Sequence, residues 1–148
     1  MGDKKKGVVF EMIKPDALGD RIKIIDEIKS RGFTILYQKQ KILTINEIKE
    51  LYFKQCKEAY FKEMLSDLRA GKSELFILIA VDAINKARNM NGSTDPKEAD
   101  PDTLRFKFGK SKGRNAVHCS DGDAEAKREI LIFFPNIWED IKQYFPEE

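Results

Sequence analysis

Runs and stripes of hydrophobic positions predict alternating strands and helices along this chain. Val8-Val9-Phe10-Glu11-Met12-Ile13 reads as a buried strand, closed by Lys14-Pro15-Asp16, where proline removes a ladder donor. From Gly19 to Ser30, Ile22, Ile25 and Ile28 form a helical stripe that Arg31-Gly32 stops. Phe33 to Leu43 is rich in β-formers and partly alternating, which predicts a long strand. Thr44 with Glu47 three residues on makes a capping-box pattern, so helices are expected over Asn46–Lys54 and Ala59–Arg69. After the break at Ala70-Gly71-Lys72-Ser73 comes Leu75 to Val81, the clearest buried strand, then a short helix over Ala83–Asn89. Asn91 to Gly113 reads as a long ordered loop. Beyond it a strand carries His118, and a helix opens at Asp121 or Gly122 with Ala126, Ile130 and Phe133 facing inward, ending before Pro135. This order predicts an α+β sandwich, a small antiparallel sheet covered by helices, in a single domain over residues 1–148.

Composition narrows the function classes. A net charge of +2 on a chain with 35% charged residues gives a solvated, nearly balanced surface, so specific nucleic-acid binding is not expected. Met1-Gly2-Asp3-Lys4-Lys5-Lys6 reads as a solvated basic tail without the apolar segment of a signal peptide. Apolar runs fall short of the roughly 20 residues of a membrane span. Cys56 and Cys119 lack the spacing of a zinc site or a disulfide framework, and a reducing, cytoplasmic setting follows. Asn91-Gly92-Ser93 matches a glycosylation acceptor but reads as a turn. Gly71-Lys72-Ser73 and Gly109-Lys110-Ser111 suggest phosphate loops, yet Ser66 and Leu104 stand where the first glycine is required, so both are set aside.

The candidate chemistry centres on His118, the single histidine, in Gly113-Arg114-Asn115-Ala116-Val117-His118-Cys119-Ser120-Asp121. Histidine can act as nucleophile, base or acid near neutral pH. Lys14 at a strand end, Arg88, Thr94 and Arg105 supply the fixed charge and donors that a polyphosphate requires. Glu129 borders the apolar face of its predicted helix, where a carboxylate needs a polar partner; an imidazole N–H would serve, leaving the other ring nitrogen free to attack phosphorus. A surface glutamate paired with a nearby lysine is the alternative.

Three motifs in order, Ile13-Lys14-Pro15-Asp16, Asn91-Gly92-Ser93-Thr94-Asp95-Pro96 and Arg114-Asn115-Ala116-Val117-His118-Cys119-Ser120-Asp121, resemble those of the nucleoside diphosphate kinases, over about Val8 to Pro135. The resemblance implies a ferredoxin-like βαββαβ fold with a four-stranded antiparallel sheet. It implies ping-pong transfer of a γ-phosphoryl group from a nucleoside triphosphate to a diphosphate through phosphorylated His118. Glu129 would then orient His118, Ser120 would support Glu129, and Tyr52 would lie beside phosphate and histidine. Lys14 would stabilise the phosphoryl charge, with Arg88, Thr94 and Arg105 on the diphosphate, Asn115 on the ribose aided by Lys14, and Tyr60 stacked on the base. Magnesium would bridge the phosphates, with no protein metal ligand assigned, and the protein would be a homo-oligomer, a hexamer foremost.

The chain departs from the family pattern at Cys119, which replaces a glycine and is expected to place an oxidisable thiol beside His118, so that peroxide should inhibit turnover. Lys112 stands near the base where an apolar residue is common. The loop Ala17-Leu18-Gly19-Asp20 is short, as in a branch of the family associated with cilia and flagella. The competing expectation is therefore a catalytically weak nucleotide-binding scaffold of such an assembly.

Overall fold

A computed structural model describes residues 4–147. The elements run β1 (Lys6–Ile13), a 3-10 turn (Pro15–Asp20), α1 (Arg21–Ser30), β2 (Thr34–Lys41), α2 (Ile45–Leu51) and α3 (Phe61–Leu68). They continue through β3 (Ser73–Val81), α4 (Ala83–Asn91), α5 (Leu104–Phe108), β4 (Val117–Cys119), α6 (Asp123–Phe133) and α7 (Trp138–Ile141). The four strands pair antiparallel in the order β2-β3-β1-β4, as the α+β expectation requires.

The two central strands are apolar on both faces because helices cover both. Val8, Phe10, Met12, Leu75, Ile77 and Ile79 pack with Ile48, Leu51, Phe61, Ala126, Ile130 and Phe133 from α2, α3 and α6. Val9, Ile13, Phe76 and Leu78 pack with Ile24, Ile25, Ile28, Ala87 and Met90 from α1 and α4. The capping box at Thr44 forms: the Glu47 N–H donates to Thr44 Oγ1 (3.1 Å) and the Thr44 N–H donates to Glu47 Oε1 (2.9 Å). Gly32, at φ +90°, stops α1 as expected.

Several expectations are corrected. Ile22 is 61% exposed, and Ile24 takes its place beside Ile25 and Ile28. A three-residue repeat precesses by about 60° per step on a helix, so it cannot stay on one face for long. The segment 91–113 contains α5, started by Thr103, whose hydroxyl accepts from the Phe106 N–H. Residues 138–145 form an unforeseen helical cover, with Ile141 and Phe145 buried in the core. Lys6 begins β1, paired with Val81, and the Lys5 ammonium donates to the Phe145 carbonyl, so these two lysines are not a free tail; Met1–Asp3 lie outside the described residues. Asn91 closes α4 fully buried, with Gly92 turning the chain at φ +87°.

Candidate active site

The first and third sequence motifs are clipped together at the ends of neighbouring strands. The Lys14 N–H donates to the Ala116 carbonyl (2.8 Å), and the Ala116 N–H donates to Asp16 Oδ2 (3.1 Å). Ala116 sits at φ +75°, a left-handed conformation that costs a non-glycine residue about 1 kcal/mol and that this double clip holds. The kink delivers Asn115 to Lys14: Nζ donates to Asn115 Oδ1 at 2.8 Å, while the Asn115 amide nitrogen donates to the Thr94 carbonyl (2.9 Å). Asp16 is thus a structural member of the site that sequence reasoning passed over.

His118 lies on β4 opposite Met12 and turns toward the α2/α6 side of the sheet, its ring edge-on to Tyr52 with centroids 5.3 Å apart. Its Nε2 meets Glu129 Oε1 at 2.7 Å. A carboxylate accepts, so Nε2 carries the proton and Nδ1 is left with a free lone pair. Ser120 is buried behind this pair, accepting from the Phe10 N–H (3.2 Å) and donating to Glu129 Oε1 (3.3 Å). Arg128 reaches the other carboxylate oxygen at 3.5 Å while donating to the Glu50 carbonyl and resting on the Phe53 ring. No periodicity argument marks Arg128, because it adjoins Glu129 in sequence and only its long stem turns the charge back toward it.

A cleft of about 1410 Å³ opens over this pair, and Lys14, Tyr52, Tyr60, Arg88, Thr94, Arg105, Asn115, His118 and Glu129 all line it. Ser120 stands behind it. Tyr60 is half exposed near the mouth, whereas the Tyr52 ring is buried and its hydroxyl has no hydrogen-bond partner. Burial, and then the Glu129 charge, push the Tyr52 hydroxyl far above its ordinary range, so it stays neutral. Burial and the Arg105 charge lower Lys14 to about 8. Arg105 spends Nη1 on the Gly92 carbonyl (2.7 Å) and Nη2 on the Val117 carbonyl (2.9 Å), tying the second motif to the third. A side chain at Gly92 would meet Thr103 at 2.7 Å, which leaves glycine as the residue this turn accommodates.

Cys119 departs from expectation. Strand alternation turns it away from His118 into the α1/α4 layer, where it is buried, and burial pushes its thiol well above the ordinary range. A thiol held protonated in this way reacts slowly with peroxide, although Cys119 is among the residues that line the cleft.

A histidine held through one nitrogen, in a cleft that Lys14, Arg88 and Arg105 also line, on a ferredoxin-like sheet, is suited to chemistry on phosphate groups. The nucleoside diphosphate kinase family model matches residues 8–137. The chain is 36% identical over 132 residues to a nucleoside diphosphate kinase of Sulfolobus acidocaldarius, covering 88% of this chain and 91% of that one. It is 37% identical over 128 residues to that of Thiobacillus denitrificans, covering 85% and 90%. Among solved structures, the Aquifex aeolicus nucleoside diphosphate kinase superposes with a TM-score of 0.84 at 31% identity, over 89% of this chain and 97% of that one. The enzyme of Halobacterium salinarum, in complex with CDP, gives 0.82 at 25% identity, over 90% of each chain. The chain belongs to the nucleoside diphosphate kinase family. It is a kinase of nucleotides, and nothing in these comparisons supports a scaffold of cilia or flagella. No helix among the described residues is long and apolar enough to cross a membrane.

Proposed function

We propose that one domain spanning this chain transfers the γ-phosphoryl group of a nucleoside triphosphate to a nucleoside diphosphate by a ping-pong route through His118. The observation that carries the reading is the Nε2–Glu129 hydrogen bond of 2.7 Å in the cleft that Lys14, Arg88 and Arg105 also line. Nδ1 attacks the γ-phosphorus, an N–P bond forms, and the bond to the β-phosphate oxygen breaks with its electron pair leaving on the diphosphate. The acceptor's terminal oxygen then reverses the step. Nε2 keeps its proton throughout, and Glu129, held by Ser120 and Arg128, offsets the positive charge of the phosphorylated ring.

Lys14 stabilises charge on the phosphoryl group in flight, while Arg88, Thr94 and Arg105 hold the diphosphate. Asn115, supported by Lys14, takes the ribose hydroxyl, and Tyr52 walls the histidine. The exposed Tyr60 offers an aromatic face to the base, which every base can use, so base selectivity is weak. Magnesium would enter on the phosphates, held mainly by the nucleotide and water, and would offset their charge. The relative with bound CDP supports nucleotides as substrates. We place the enzyme in the cytoplasm as a homo-oligomer, a hexamer; the uncovered edge of β2 and exposed Ile22, Ile42, Ile45 and Phe106 support association.

Incubation with γ-labelled ATP and magnesium is expected to give an acid-labile, alkali-stable label that added GDP removes. No label on folded protein that binds ATP would refute the covalent route. Glu129→Gln keeps an acceptor for Nε2 but removes the charge; it is expected to slow phosphoenzyme formation about 100-fold with ADP affinity within about twofold of wild type. Rapid-quench and binding measurements check both.

A further inference from the structure

Glu11 is a fully buried carboxylate that the phosphotransfer route does not use. Strand alternation puts it on the α1/α4 side of β1, opposite Cys119 on β4 and Phe76 on β3. Neither of its oxygens has a hydrogen-bond partner. Asn91, equally buried at the end of α4, has neither amide atom bonded, and Arg105 has its Nε buried and unbonded. Five of the seven such atoms among the described residues belong to these three side chains, and Glu11 is close enough to feel both the Asn91 amide and the Arg105 charge. Buried polar groups are otherwise almost always paired, and a concentration of this kind calls for a reason.

The three side chains are complementary. Arg105 Nε–H and the Asn91 amide offer three donors; Asn91 Oδ1 and the two Glu11 oxygens offer three acceptors. The count balances when Glu11 is a carboxylate, the form that the Arg105 guanidinium favours and burial opposes. Burial pushes the Glu11 carboxyl well above the ordinary carboxylate range, and the Asn91 amide and Arg105 charge both act against that push.

We propose that Glu11, working through Asn91, is a positioning residue for Arg105: the pair anchors Nε from behind the sheet, so that Nη1 and Nη2 can swing from the Gly92 and Val117 carbonyls onto the nucleotide's phosphates. The inference rests on the reading of Arg105 as a diphosphate ligand. Leaving those two carbonyls costs the guanidinium two hydrogen bonds, and an Nε anchored through Asn91 to the Glu11 carboxyl keeps the turned-out side chain aimed rather than loose.

The test is ADP affinity of the unphosphorylated protein, with kcat at saturating substrates, for wild type, Glu11→Gln, Arg105→Leu and the double variant. Arg105→Leu is expected to weaken ADP binding about 10- to 100-fold. Glu11→Gln, isosteric and uncharged, should weaken it about 5- to 20-fold with kcat within about twofold, and should add nothing in the Arg105→Leu background. Wild-type ADP affinity in Glu11→Gln beside a weakened Arg105→Leu overturns the role of Glu11 and leaves the nucleotide reading intact. Unchanged affinity in Arg105→Leu overturns the diphosphate role of Arg105 and this proposal with it. A Glu11→Gln effect that persists in the double variant overturns the route through Arg105. Should Glu11→Gln not be recovered folded, Asn91→Leu breaks the same relay and is held to the same outcomes.

Discussion

Replacing His118 by alanine is expected to lower kcat/KM for phosphoryl transfer by at least about 10⁴-fold, with nucleotide affinity within a few-fold of wild type. The loss should be this deep because no neighbour can stand in as nucleophile. Tyr52 is held neutral by burial and by Glu129. Ser120 is engaged with Glu129 and the Phe10 N–H, behind the cleft rather than in it. Cys119 is buried with its thiol pushed up, so it stays protonated and a poor nucleophile. Direct transfer between two nucleotides would need two phosphate subsites, whereas Lys14, Arg88, Arg105 and Asn115 line one cleft. Affinity should survive because the proposed diphosphate ligands are Arg88, Thr94 and Arg105, not the imidazole. Steady-state kinetics with an ADP titration decides it. A variant retaining more than about 1% of wild-type turnover would show that the phosphoryl group can cross without resting on His118.

The contrast between what the chain announces and what only folding reveals has a physical pattern. Residues 8–13 and 75–81 are apolar almost throughout, which is the signature of strands covered on both faces, and they became the sheet's centre. The family motifs are legible because each binds chemistry to a turn: Lys14 precedes a proline, and Asn115 precedes the kinked Ala116. Helix geometry marked Glu129 as a carboxylate bordering an apolar stripe, but only the wider motif pattern favoured His118 over a surface lysine as its partner, and His118 is that partner. Arg128 and Asp16 were not so marked, because their roles depend on where a long stem or a short carboxylate points after distant segments meet. Neither did alternation around Glu11 disclose a polar cluster, whose other members lie about 80 and 94 residues further along the chain. Cys119 was misjudged for a related reason: adjacency in sequence within a strand means opposite faces in space.

Lys14→Met is expected to trade function for stability, and the direction of both effects follows from one buried ammonium. In the fold Lys14 is lowered from 10.5 to about 8, mainly by burial and then by the Arg105 charge, with Asp16 and Asp67 opposing. Below about pH 8 both folded and unfolded chains carry the proton, and the folded one bears the full cost of burying it, about 3 kcal/mol on this difference. Between about 8 and 10.5 the folded chain releases the proton first, the unfolded chain binds more, and stability from this group rises with pH until the cost is gone. Methionine carries no charge at any pH; less about 1 kcal/mol for the Asn115 Oδ1 bond it forfeits, the variant should be about 2 kcal/mol more stable at pH 7, an advantage that disappears above about pH 10.5. Activity moves the opposite way. Loss of a fixed cation at the phosphoryl group should lower kcat/KM about 10²- to 10³-fold. In wild type, kcat/KM should fall as pH rises through about 8, where the free enzyme loses this charge, while kcat holds to higher pH because bound phosphate keeps the amine protonated. Denaturant titrations at pH 7 and pH 10.5, beside pH–rate profiles of both proteins, test the coupling. A Lys14→Met protein that is less stable than wild type at pH 7, or a wild-type kcat/KM that stays flat across pH 8 to 9.5, would mean that the ammonium is not the strained, working charge the geometry makes it.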